Sequence, residues 1–212
     1  MSLKRALFTT LVGVALTLSA SAQPLKPLPG KNVSAPASAV KVLMTTDAGD
    51  LEIEIYPEAA PNAAARFLML VQMGFYDNTP IFRVVKQPKP FVAQFGINSD
   101  FAQWEKGKDF KDDPSLYQME RGTLAFAKAG ADTNSTQVFI NYTENNRLTA
   151  PNMNFSVFGK VVKGMEIADK FKSVGDPGMG LDQDALWKNT RMVDTLSAKP
   201  TMIVKAKVVN PE

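Results

Sequence analysis

The chain has 212 residues, 45% of them hydrophobic and 21% charged, which is the composition of a globular protein and excludes a disordered or membrane-embedded one. Basic residues number 24 and acidic residues 21; Lys4 and Arg5 fall in a segment that reads as removed, leaving 22 against 21 and no electrostatic case for a nucleic-acid or anionic-membrane partner. There is no histidine and no cysteine, which excludes Ser-His-Asp triads, thiolate nucleophiles, disulfides and His- or Cys-ligated zinc, so chemistry must run without a side chain that normally titrates near neutrality.

In chain order, residues 1–22 read as a secretory signal peptide: Lys4 and Arg5 form its basic start, Ala6 to Leu18 its apolar run, and Ala20-Ser21-Ala22 its cleavage pattern. A retained anchor would need about 20 consecutive apolar residues, and this run is interrupted by Thr9, Thr10, Gly13 and Thr17. Export to a periplasm or the medium is therefore expected. Residues 23–39, with Pro24, Pro27, Pro29, Gly30 and Pro36, read as a flexible, solvated linker. The folded domain is expected over 40–212.

From Val40 the apolar residues alternate. Val42 and Met44, then Leu51, Ile53 and Ile55, face one side, and Asp47 to Asp50 supply the turn of an antiparallel hairpin. Glu52 and Glu54 read as outward strand charges. Pro61 and a capping Asn62 open a helix over 63–73 that Gly74 closes, with Phe67, Leu70 and Val71 facing the sheet and its methionines filling core. Short strands are expected around 81–85, 91–95, 123–127, 137–142, 157–162 and 201–209, the last with Met202, Val204, Ala206 and Val208 on one face. A second helix is expected over 165–172, and an added one over 184–196. Asp182-Gln183-Asp184 is a weak cation pattern that reads better as a turn or helix cap. Closure of such a sheet into a barrel removes its unpaired edges.

Two stretches carry the candidate chemistry: Ile81-Phe82-Arg83-Val84-Val85 leading to Phe91-Val92-Ala93-Gln94-Phe95-Gly96, and Ala125-Phe126-Ala127-Lys128-Ala129-Gly130 leading through Thr133-Asn134-Ser135 to Gln137-Val138-Phe139-Ile140. On pattern alone Arg83 could be a plain outward charge, and Phe91 and Phe139 would be core. Together with Gly74 to Thr79 and Val157 to Met165, these stretches resemble, in order from about Val42 to Val209, the cyclophilin family of peptidyl-prolyl cis-trans isomerases. The resemblance implies an eight-stranded antiparallel β-barrel capped by two helices, no metal or other cofactor, and binding of proline-containing segments of folding proteins by a monomer. It makes Arg83 the catalytic arginine and Gln94 its companion. Phe91, Val92, Phe139 and Leu148 become a proline pocket walled by Phe155. Ala127, Lys128 and Ala129 offer the peptide a backbone or a shallow surface, and Gln137 supports from behind.

The chain departs from the family pattern at several points. Phe82 and Phe155 stand where histidines are common, Val92 where methionine is usual, and Arg147 where some members carry a tryptophan associated with cyclosporin binding. The connection 86–90 is longer than usual and the stretch 175–200 is unlike the short family loop. Val92, Phe155 and the longer 86–90 turn leave open a peptide-binding or holdase module without catalysis; a barrel holding a small apolar ligand would require an enclosed cavity, and the bulky inward residues on nearly every strand point to a filled interior instead.

Overall fold

The computed structural model describes residues 24–209, so the expected signal peptide over residues 1–22 lies outside the described residues. Strands β1 (Val40–Thr46) and β2 (Gly49–Ile55) form the expected antiparallel hairpin, in register from Val40↔Ile55 to Thr46↔Gly49. Val42, Met44, Leu51, Ile53 and Ile55 are buried, while Glu52 pairs with Lys163 and Glu54 accepts from the Tyr56 hydroxyl. The two carboxylates are therefore strand-surface charges.

Helix α1 (Pro61–Gln72) packs Phe67, Leu70 and Val71 into the core. Its cap comes from elsewhere in the chain. Ala60 occupies the N-cap and its methyl side chain cannot accept a hydrogen bond, so the buried Asp113 carboxylate takes the backbone N–H groups of Asn62 and Ala63 at 3.2 and 2.9 Å. Asn62 is thus capped and is not itself the cap. Gly74, at φ +70°, ends the helix, and the Phe75 N–H bonds back to the Leu70 carbonyl. Met69 and Met73 are exposed, contrary to their expected place in the core, because they lie off the buried face that Ala63, Ala64, Phe67, Leu70 and Val71 form.

The remaining strands are β3 (Thr79–Pro80), β4 (Arg83–Val84), β5 (Val92–Phe95), β6 (Thr123–Phe126), β7 (Val138–Asn141), β8 (Gly159–Lys163) and β9 (Met202–Val209). All pair antiparallel, in the order β3-β9-β1-β2-β8-β6-β7-β5-β4. The fold is a curled, mainly β sheet of nine strands. The count exceeds the expected eight because 79–84 divides into two strands with different partners, β3 against β9 and β4 against β5. Inside the curl, Phe67, Tyr76, Phe95 and Phe158 are fully buried against one another. Side chains fill that interior, which removes the hollow-barrel reading.

Along β9 the expected alternation breaks. Thr45 pairs with Lys205 and Thr46 with Ile203, so Val204 is the extra residue of a bulge; it turns to solvent while Ile203 goes inward. Helix α2 (Met165–Ala168) is shorter than expected but still buries Ala168, with Phe171 following it inward. The added 184–196 helix is two pieces, α3 (Gln183–Lys188) and a 3-10 turn (Thr190–Thr195), separated at Asn189, whose extended backbone lets its side chain cap the second. Asp182 caps α3 through the Ala185 N–H, as its cap reading expects.

The proline-rich stretch expected to be a solvated linker lies against the domain from Pro24 onward. Leu28 N–H bonds to the Leu116 carbonyl, Gln118 N–H to the Lys26 carbonyl, and the Tyr117 hydroxyl to the Ser34 carbonyl, while Leu25 is only 2% exposed. The composition is that of a spacer, but the backbone of 116–118 offers it a partner edge and a second apolar cluster takes its leucine.

Candidate active site

Strand periodicity builds the site. Arg83 on β4 stands opposite Gln94 on β5, Gln94 opposite Phe139 on β7, and Phe139 opposite Ala125 on β6. One row of side chains therefore crosses four adjacent strands on the outer face of the curl. Their neighbours in sequence, Val84, Ala93, Ile140 and Leu124, point inward to the main core. Phe139 and Val92 join a separate outer cluster with Leu148, Ala125 and Leu25, and partly buried Phe91 and Phe155 pack against it.

These residues surround an open depression of about 170 Å³ lined by Arg83, Phe91, Val92, Gln94, Ala127, Lys128, Phe139, Leu148 and Phe155. Nine expected site residues thus converge. The other two stand outside it: Gln137 lies behind Gln94, and exposed Ala129 spends its N–H on the Thr133 hydroxyl. The Ala127 N–H is also occupied, by the Gln137 carbonyl within the sheet, so a peptide would meet the Ala127 methyl and not this donor.

Arg83 is half-buried and held from two sides. Its Nε donates to the Gly178 carbonyl at 2.6 Å and Nη1 to Gln94 Oε1 at 3.0 Å. A guanidinium has five N–H bonds, so donors remain after these two contacts. Burial pulls the Arg83 pKa down from its ordinary value, yet a guanidinium stays cationic throughout the physiological range. Because arginine only donates, it fixes the orientation of a chain of amides: Gln94 Nε2 donates to Gln137 Oε1 at 2.8 Å, and Gln137 Nε2 to Gln183 Oε1 at 3.0 Å.

The opposite wall is equally tied down. Lys128, with 4% of its side chain exposed, pairs with Asp112, reaches the Asn154 carbonyl and sits 5.2 Å from the Phe155 ring centre. Phe155 in turn meets Phe139 edge-on at 5.9 Å. The long 86–90 connection does not displace the arginine. Val85 N–H bonds to the Val92 carbonyl and Phe91 N–H to the Val85 carbonyl, so the extra residues bulge beyond the hairpin and Arg83 keeps its register with Gln94. Phe82 is fully buried in the main core, so its side chain takes no part in the groove.

The segment 175–200 supplies partners that sequence reasoning missed. Gly180, at φ +77°, lies so close that a Cβ there would sit 2.2 Å from the Phe82 carbonyl oxygen and 2.7 Å from Arg83 Cα. Leu181 N–H bonds to that same carbonyl. The Gly-Asp-Pro-Gly-Met-Gly run is a visible turn signal, but nothing in it names Arg83 as the neighbour. Asp112 had no sequence signal.

The family model for cyclophilin type peptidyl-prolyl cis-trans isomerase/CLD matches residues 41–195. The chain belongs to the cyclophilin family. Among the similar proteins, peptidyl-prolyl cis-trans isomerase A of Dickeya dadantii (strain 3937) is 33% identical over 180 residues, covering 82% of this chain and 87% of its own. A peptidyl-prolyl cis-trans isomerase of Acinetobacter baylyi is 35% identical over 162 residues, covering 74% of this chain and 85% of its own. A crystal structure of a Cryptosporidium parvum cyclophilin type isomerase superposes with a TM-score of 0.63 at 24% identity, over 82% of this chain and all of that one, which supports the cyclophilin fold. The same isomerase, in the presence of the dipeptide Ala-Pro, gives a TM-score of 0.60 at 24% identity, over 81% and 99% of the two chains.

Proposed function

We propose that this cyclophilin-type isomerase speeds rotation about X-Pro bonds in the outer-face groove, with Arg83 as its catalytic residue. Rotation costs roughly 18–20 kcal/mol because twisting ends the conjugation of nitrogen with carbonyl. No bond breaks and no proton need move. The proline ring sits against Phe91, Val92, Phe139 and Leu148, with Phe155 as the wall. In the twisted state the imide nitrogen regains its lone pair, and a donor fixed beside it lowers the barrier without reorganising. Arg83 supplies that donor, and Gln94 keeps it aimed. The observation that carries the reading is the Arg83 guanidinium, anchored at two of its N–H groups, at the rim of a depression lined mainly by apolar side chains.

The groove needs no group that titrates near neutrality, which suits a chain without histidine. The frame we infer for it is a closed barrel, since the edge strands β3 and β4 are consecutive pieces of one stretch. The same reading makes the protein an exported monomer that assists slow X-Pro steps in the folding of other exported proteins; the basic-apolar-small pattern of residues 1–22 supports export. The test is cis-to-trans conversion of a short Ala-Pro peptide: acceleration proportional to protein concentration is expected, and affinity for the peptide without acceleration would favour the holdase reading instead.

A further inference from the structure

A second trough of about 480 Å³ adjoins the proline slot and shares Phe91 with it. Its other lining residues include Lys89, Pro90, Glu144, Asn145 and Arg147. The Arg147 guanidinium carbon stands 5.0 Å from the Phe91 ring centre and that of Arg83 stands 5.8 Å from the same ring. An extended peptide advances about 3.3–3.6 Å per residue, so a chain with its proline in the slot reaches Arg147 within a few residues. Two cations face one carboxylate in the trough. Neither Arg147 nor Lys89 makes an ion pair among the described residues, and Glu144 lies beyond ion-pair distance of both.

We propose that this trough is a subsite for an acidic side chain of the substrate, placed within a few residues of the proline and met by Arg147 and Lys89. It rests on the isomerase reading and adds a substrate preference to it. Arg147 suits the task because its guanidinium lies over the Phe91 ring within cation–π range, and its fork of N–H donors matches a carboxylate. Lys89 adds an exposed charge from the 86–90 turn. With two cations against one carboxylate, Glu144 weakens the attraction but does not cancel it. A basic side chain at the same place would meet two like charges, so discrimination comes from repulsion as well as attraction.

The test uses a neutral Ala-Pro reference peptide and a set carrying Glu, Gln or Lys in turn at each of the three positions before and after the Ala-Pro unit. Expected is one position at which Glu exceeds Gln in kcat/KM by about two- to fivefold, the scale of an exposed ion pair, with Lys below both. The advantage shrinks towards one at about 1 M salt, where the screening length is about 3 Å. Arg147→Glu reverses the order of Glu and Lys at that position, and Lys89→Glu reduces the spread. Equal rates for Glu, Gln and Lys at every position, or an order unchanged in Arg147→Glu, would overturn the subsite. Affinities of the same labelled peptides, measured in parallel, read the subsite without reference to turnover. Turnover of the neutral peptide reads the isomerase alone, so failure of one claim is separable from failure of the other.

Discussion

Gly178 and Arg83 are joined by a 2.6 Å hydrogen bond from the arginine Nε to the glycine carbonyl, which ties the 175–200 segment to the residue on which the groove depends. Gly180, two residues on, packs directly on the Arg83 backbone. An alanine there is strained by its φ of +77° and collides with the Phe82 carbonyl. Gly180→Ala is therefore expected to lower kcat/KM by between roughly tenfold and a hundredfold, since a displacement of about 1 Å at a catalytic group costs on that order. Met179→Ala, at an exposed position on the same loop, should leave stability within about 0.5 kcal/mol. Equal rates for Gly180→Ala and the parent would show that the loop does not position the arginine.

Lys128 and Asp112 form an ion pair whose side chains are 4% and 10% exposed beneath the groove wall. Removing one partner leaves the other charge buried with only its remaining bonds, a loss of about 3–5 kcal/mol. Lys128→Met should lower Tm by roughly 6–20 °C for a chain of this size. Differential scanning calorimetry decides it: a shift of under about 2 °C would mean that the pair contributes no more than a surface contact.

Leu25 is 2% exposed and packs in the cluster that also holds Val92, Phe139 and Leu148. Leu25→Ala is expected to cost about 2–5 kcal/mol, read as a lower Tm or urea midpoint, because the cavity opens behind the proline slot. An unchanged midpoint would return residues 24–38 to the role of a solvated spacer.

Much of this arrangement was legible in the residues. Alternation of Val42, Met44, Leu51, Ile53 and Ile55 specified the first hairpin and its buried face, because period two is a local property of the backbone. The ordered motifs led to Arg83, Gln94 and Phe139, and the strand register explains why they meet: three strands bring them into one row. What escaped depends on contacts distant in sequence. Asp113 caps a helix whose own N-cap is alanine, Val204 is turned out by pairing with β1, and Leu25 to Leu28 are held because 116–118 lies beside them. Helical spacing over 184–196 concealed the break at Asn189, where the side-chain cap competes with continued helix.

The pH profile separates electrostatic assistance from proton transfer. Burial lowers the Arg83 pKa from its usual value, so loss of its proton approaches from the alkaline side and affects only strongly basic solutions. With no histidine in the chain, kcat/KM for an Ala-Pro peptide should vary less than about twofold between roughly pH 6 and 9. A bell-shaped profile centred in that range would require a titrating acid or base that the account does not contain.

The most direct measurement compares isomerisation of an Ala-Pro peptide by the parent protein, Arg83→Lys and Arg83→Ala, with folding of each checked by its thermal transition. Loss of one preorganised donor predicts a fall of about 10²–10³ in kcat/KM for Arg83→Ala, little recovery in Arg83→Lys because a single ammonium cannot keep both the Gln94 and Gly178 contacts while addressing the imide, and a nearly unchanged Tm. Catalysis within a few-fold of the parent in a folded Arg83→Ala protein would contradict the account.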